Sequence, residues 1–113
     1  MASDERTGTQ YLYDHLGEWI MFRSGRNLYN PQGDWIGWLP WGTNDDAVDT
    51  DGIYLGTIFP GDRIYRINYW NLGTKPDYPG YPGSLDPPGF PGFLAYSPLP
   101  EGMEDIDPVS VTF

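Results

Sequence analysis

Between Tyr11 and Asn68 the apolar residues come in short runs broken by clusters of Gly, Pro, Asn, Asp and Ser, and no stretch holds them at the i, i+3, i+4, i+7 spacing of an amphipathic helix. The pattern predicts strands at 11–13, 18–23, 27–29, 34–39, 47–48, 53–59 and 63–68, joined as a meander of short antiparallel hairpins. The segment 40–46 is the one longer connection. The expected fold class is all-β, with essentially no α-helix.

Strand alternation normally separates a buried face from a wet one, yet here both phases are apolar. Trp19, Met21, Trp35 and Tyr54 fall in one phase; Ile20, Phe22, Ile36, Trp38, Leu55 and Phe59 fall in the other. A sheet with one solvated face cannot bury both sets. Either the strands stand around an axis, so that neighbouring hairpins cover both faces, or an aromatic face is kept for a ligand or a second subunit. The first arrangement is the expected one.

The turns carry an internal repeat. Tyr13-Asp14-His15-Leu16-Gly17-Glu18-Trp19-Ile20-Met21 aligns with Tyr29-Asn30-Pro31-Gln32-Gly33-Asp34-Trp35-Ile36-Gly37, and again with Val48-Asp49-Thr50-Asp51-Gly52-Ile53-Tyr54-Leu55-Gly56. The glycines at 17, 33 and 52 are spaced as hairpins, too closely for a four-stranded propeller blade. An Asx at the first position of a type I turn bonds its side chain to the backbone two residues on, and Gly at the fourth accepts positive φ. Asp14, Gly17, Asn30, Gly33, Asp49 and Gly52 are therefore read as structural turn residues. Pro31 carries the φ that the second turn position requires. Ser24-Gly25 and Pro60-Gly61-Asp62 supply the intervening turns.

From Asn71 the composition changes to aromatic-Pro-Gly units, Asp77-Tyr78-Pro79-Gly80-Tyr81-Pro82-Gly83 and Pro87-Pro88-Gly89-Phe90-Pro91-Gly92-Phe93, at three- and four-residue spacing. Gly does not hold a strict three-residue period, so this is no collagen repeat. Its aromatic density favours a tail partly packed on the domain over a free linker. The acidic end, with Glu101, Glu104, Asp105 and Asp107, is expected to be solvated. The resulting layout is an N-terminal arm at 1–10, a repeated-hairpin β domain at 11–70 and a Pro/Gly/aromatic-rich acidic tail at 71–113.

The repeat Tyr-Asp/Asn-x-x-Gly-x-aromatic-aliphatic-Gly over residues 10–70, with its short intervening turns and Pro-rich extension, resembles the bacterial four-fold β-flower domains. That resemblance implies pseudo-symmetric hairpins and no established biochemical activity. The chain departs from the pattern where Met21 stands in place of the small residue seen at Gly37 and Gly56, and where no fourth Asx-x-x-Gly follows Arg63 to Asn68.

Composition narrows the function classes. With 15 Gly and 12 Pro in 113 residues a helix bundle is excluded, and the length fits one domain. There is no Cys, so no disulfide or thiolate metal site holds the fold, and five Trp, nine Tyr and five Phe must supply much of the packing. A net charge of −10 argues against nucleic acid and anionic membranes as partners, since both are met with Lys and Arg. With no apolar leader or membrane-length run, a cytoplasmic location is expected.

Candidate chemistry is sparse. Asp49-x-Asp51-Gly52 has the spacing of part of a calcium loop, but Ala47 and Ile58 stand where that loop needs an acid and a bidentate Glu. Asp14, Glu18 and Asp34 lie at turns, where acids are usually solvated, and His15, the only histidine, is expected to be an exposed turn residue. Neither a metal nor a cofactor is expected, and neither is an enzyme. The candidate ligand-binding residues are Trp38, Trp41, Tyr69 and Trp70, flat rings that can stack on a sugar. The first expectation is a structural or protein-interaction module, with a protein partner or self-association. A carbohydrate- or small-ligand-binding module comes second, and an acid-dependent hydrolase last.

Overall fold

Strands form where the turn chemistry places them. The computed structural model describes residues 9–41, 45–68 and 76–106. In chain order they form β1 (Thr9–Tyr13), β2 (Trp19–Ser24), β3 (Asn27–Tyr29), β4 (Trp35–Trp38), β5 (Asp46–Asp49), β6 (Tyr54–Phe59), β7 (Arg63–Ile67) and β8 (Met103–Asp105). Neighbours in sequence are neighbours in the sheet, and β1 also meets β7, which closes β1–β7 into a barrel-like ring. No helix is present among the described residues, so none is long and apolar enough to cross a membrane.

The three Asx turns are copies of one hydrogen-bond scheme. Asp14 Oδ1 accepts the amides of Leu16 and Glu18, Asn30 Oδ1 those of Gln32 and Asp34, and Asp49 Oδ1 those of Asp51 and Ile53. In each, the glycine amide closes the turn on the Asx carbonyl at 2.9–3.1 Å. Each acceptor thus satisfies two amides that would otherwise need water. All three turns lie at the same end of the ring, because β1, β3 and β5 all run towards it.

The two apolar phases have a structural explanation that strict alternation misses. Tyr13 pairs with Trp19 and Leu12 with Met21; Tyr29 pairs with Trp35 and Leu28 with Gly37; Val48 pairs with Tyr54 and Ala47 with Gly56. Ile20, Ile36 and Leu55 are left over as equivalent β-bulges, and each bulge flips the inside-outside alternation in the remainder of its strand. Ile20 and Met21 consequently both join the inner core, with Leu12, Leu28, Ile36, Leu55, Ile58, Ile64 and Ile106. Trp19 and Phe22 both belong to the other face, with Tyr11, Tyr29, Trp35 and Trp38.

Met21 obeys the same logic. It is fully buried in the inner core, whereas a Cβ at Gly37 would overlap the Val48 carbonyl and one at Gly56 the side chain of Ile106. One of the three equivalent positions fills the interior and two make room for neighbours. Burial of each such aliphatic side chain is worth about 1.5–3 kcal/mol.

β8 extends the sheet beyond the ring. One edge of β7 pairs with β6; the other pairs with β1 at Arg63 and with β8 at Tyr65, Arg66 and Ile67. Glu104 and Asp105 are therefore part of the sheet: Asp105 is half-buried, Glu101 and Glu104 are exposed as expected, and Asp107 lies outside the described residues. Strand pairing also begins at Thr9, two residues inside the expected N-terminal arm.

Candidate functional site

The tail crosses the turn-bearing rim in the reverse order of the hairpins. The Leu85 amide donates to the carbonyl of Gly33, the Leu94 amide to that of Gly17, and the Ser97 amide to that of His15, each at 2.9 Å. Gly17 and Gly33 have φ of +88° and +90°, and a Cβ on either would overlap the carbonyl oxygen of the tail leucine that it faces. These two glycines serve turn and tail together: they supply the positive φ and the close approach. Arg63 adds a fourth tie, donating to the carbonyls of Asp14 and Ala95.

The tail itself repeats every nine residues. Pro79-Gly80-Tyr81-Pro82-Gly83-Ser84-Leu85 matches Pro88-Gly89-Phe90-Pro91-Gly92-Phe93-Leu94. The match is structural as well. Tyr81 packs against Trp35 at 5.9 Å between ring centroids and 57°, and Phe90 against Trp19 at 6.3 Å and 50°. Each nine-residue unit therefore docks on one hairpin through the ring at its third position and a leucine amide. The tail is the cover that the outer aromatic face of β1–β4 requires.

Nine residues before Leu85 stands Pro76, which has no amide hydrogen to give. There a cleft of about 230 Å³ opens, lined by Trp38, Thr50, Asp51, Gly52, Pro76 and Tyr78. Trp38 is half-buried, and its indole Nε1 finds no acceptor. Tyr78 and Asp51 are exposed, and Tyr78 also lies edge-on to Trp35 at 5.9 Å.

Of the expected ligand-binding residues, Trp38 is in this cleft. Trp41 is half-buried in the β4–β5 connection, whose Leu39 and Pro40 carbonyls are held by Arg26, and it does not line the cleft. Tyr69 and Trp70 lie outside the described residues. Thr50, Asp51, Pro76 and Tyr78 are cleft residues that the aromatic pattern alone does not point to; the nine-residue tail period, which places Pro76 at a hairpin turn, is the signal that could find them. The six turn residues all occupy the turns assigned to them.

Two titratable expectations change. Asp14 is buried, with its carboxylate turned onto backbone amides instead of solvent. His15 is half-buried rather than an exposed turn residue: Asp105 accepts its backbone amide at 3.1 Å and pairs with its Nδ1 at 2.5 Å, while Tyr96 packs edge-on against its ring. Burial, reinforced by nearby Asp62 and Tyr11, raises the Tyr13 phenol above its ordinary value. Burial and the neighbouring Tyr81 do the same to Tyr29. Among the described residues no group of three His, Asp or Glu side chains is arranged to hold a metal ion.

The large apolar side chains left exposed are concentrated on this rim. Leu16 and Ile53 sit in Asx turns, and Tyr78, Tyr81, Leu85, Phe90, Phe93 and Tyr96 sit on the tail. The rim is thus an aromatic band held on a hydrogen-bonded frame, with Glu18, Asp34, Asp51, Asp77 and Asp86 exposed around it. The chain matches no family model, no curated protein and no solved structure.

Proposed function

We propose that the chain is a non-enzymatic interaction module that presents its tail-bearing rim to a protein partner. The observation that carries this reading is the concentration of exposed large apolar side chains on the Asx turns and the tail, with Phe93 at 72% and Tyr81 at 65% exposure. Soluble monomers rarely leave a contiguous aromatic band uncovered, and such bands are where partners bind. The backbone that carries the rings is hydrogen-bonded to the turns at Leu85, Leu94 and Ser97, which lowers the conformational entropy cost of docking a partner. The carboxylates stand on separate turns, several of them committed to backbone amides, which supports a binding role over acid-base chemistry.

A displayed-peptide library selected on the immobilised full chain tests the proposal. Enriched binders should be lost from a Phe93→Ser/Tyr96→Ser variant and kept by Arg23→Ser, whose substitution lies at the opposite end of the ring. Enrichment no greater than on a bare support, or loss with neither variant, would count against the rim.

A further inference from the structure

We infer that the cleft at the third Asx turn is the rim's anchor pocket and that it receives an arginine side chain of the partner. The inference rests on the reading of the rim as an interaction face and goes further by naming what the partner brings. It starts from the broken symmetry of the tail. At the first two turns a leucine amide closes the tail onto a glycine carbonyl. At the third turn Pro76 stands in the corresponding place, cannot form that bond, and borders an opening instead.

Size selects the kind of occupant. Pockets for free small molecules commonly hold about 300–1,000 Å³. This one holds about 230 Å³, below that range and roomy enough for a single long side chain. Hot-spot pockets at protein interfaces are filled by one anchoring residue, and Arg is among the residues most enriched there.

Chemistry selects which side chain. Two aromatic residues, Trp38 and Tyr78, form part of the lining together with the acidic Asp51 and the hydroxyl-bearing Thr50. A guanidinium is the group that uses all of these: its plane stacks on aromatic faces and its N–H fork pairs with a carboxylate. A lysine ammonium would meet the charge and lose the stacking. A neutral planar isostere would keep the stacking and lose the charge.

The wider field agrees. Asp77 is adjacent to Tyr78, Asp34 stands on the neighbouring turn, and both are exposed. The chain carries −10 overall. Arg23, Arg26 and Arg63 are tied to backbone carbonyls of Gly25, of Leu39 and Pro40, and of Asp14 and Ala95. An acidic rim around aromatic walls attracts a basic segment from a distance and then retains one residue of it.

The test uses the full chain, isotope-labelled, titrated with three short peptides alike except at one position: arginine, lysine, or citrulline, the neutral isostere of arginine. The arginine peptide should shift the Trp38 indole N–H and the amides of residues 50–52 and bind about fivefold or more tightly than the other two. Asp51→Asn and Tyr78→Leu should each weaken it by a similar factor, with far-UV circular dichroism unchanged. Equal binding of arginine and citrulline, or indifference to both substitutions, overturns the inference. So does a monosaccharide that shifts the same resonances while arginine does not, which would give the cleft to a sugar. If these arms fail while library binders still depend on Phe93 and Tyr96, the cleft assignment falls and the rim reading stands; if both fail, so does the rim.

Discussion

The amide of Leu85 lies 2.9 Å from the carbonyl oxygen of Gly33, while the Leu85 carbonyl occupies the space that a Cβ on residue 33 would need. One glycine therefore sets the hairpin turn and the seat of the tail. Gly33→Ala should cost about 1–2 kcal/mol from its positive φ alone, and more from the displaced leucine. Gly17→Ala should behave alike, through Leu94. Gly25 has positive φ but open space around it, so Gly25→Ala should incur only the conformational part. Urea denaturation ranks the three, and limited proteolysis should cut residues 79–86 faster in Gly33→Ala and residues 88–95 faster in Gly17→Ala.

The Asx acceptors differ in environment and should differ in cost. Asp14 and Asn30 are buried, whereas the bonds of Asp49 are exposed to water. Truncation to Ala strands two amides at each turn. At Asp14 and Asn30 about 1–3 kcal/mol should be lost, because water cannot take over as acceptor. At Asp49 the loss should be about 0.5–1 kcal/mol, since water replaces the carboxylate. Asn30→Asp keeps the accepting oxygen and should be close to neutral. Thermal denaturation of the four variants checks the order, and a larger loss at Asp49 than at Asp14 would contradict it.

The seven strands of the ring were legible because their signals are local. Each Asx, its Gly at the fourth turn position, and the aromatic-aliphatic pair beyond it belong to one short window, so the hairpin can be read without its neighbours. The bulges at Ile20, Ile36 and Leu55 were not legible, since a bulge exists only relative to the register of a partner strand. β8 was hidden for the same reason. Met103-Glu104-Asp105 has no strand pattern of its own and takes its conformation from the part of the β7 edge that lies beyond its pairing with β1. As for the site, Trp38 stood out as an aromatic residue, but the cleft depends on Pro76 reaching the third turn from a distant part of the chain.

His15 and Asp105 join the first turn to β8 through two contacts, one to the backbone amide and one to the ring. Asp105→Ala removes both. The pair is partly exposed, so the global cost should stay at about 1 kcal/mol. The local effect should be larger, because β8 is short and this pair ties it to the first turn. The Asn68 amide, which donates to the carbonyl of Gly102, should then exchange with solvent faster while amides of β2 and β3 keep their protection. Uniform acceleration throughout the sheet would mean instead that β8 folds as one unit with the ring.

Alkaline pH should weaken the fold through Tyr13 and Tyr29. Both phenols titrate above the ordinary value of 10.0, chiefly because burial disfavours the charged phenolate, with Asp62 and Tyr11 adding to the effect at Tyr13 and Tyr81 at Tyr29. A group whose folded pKa exceeds its unfolded pKa binds more protons when folded at pH values between the two, so stability falls as pH rises. The contribution should be intact below pH 10.0 and be lost as pH climbs through the raised folded values. Tyr29→Phe removes one such phenol and should flatten the decline, most clearly in a background that also carries Tyr13→Phe. Urea midpoints measured across that pH range report the slope, and ultraviolet difference absorbance should show that Tyr13→Phe and Tyr29→Phe each remove a phenol that ionises above pH 10.0 in the folded chain. An equally steep decline in the double variant would place the alkaline sensitivity elsewhere.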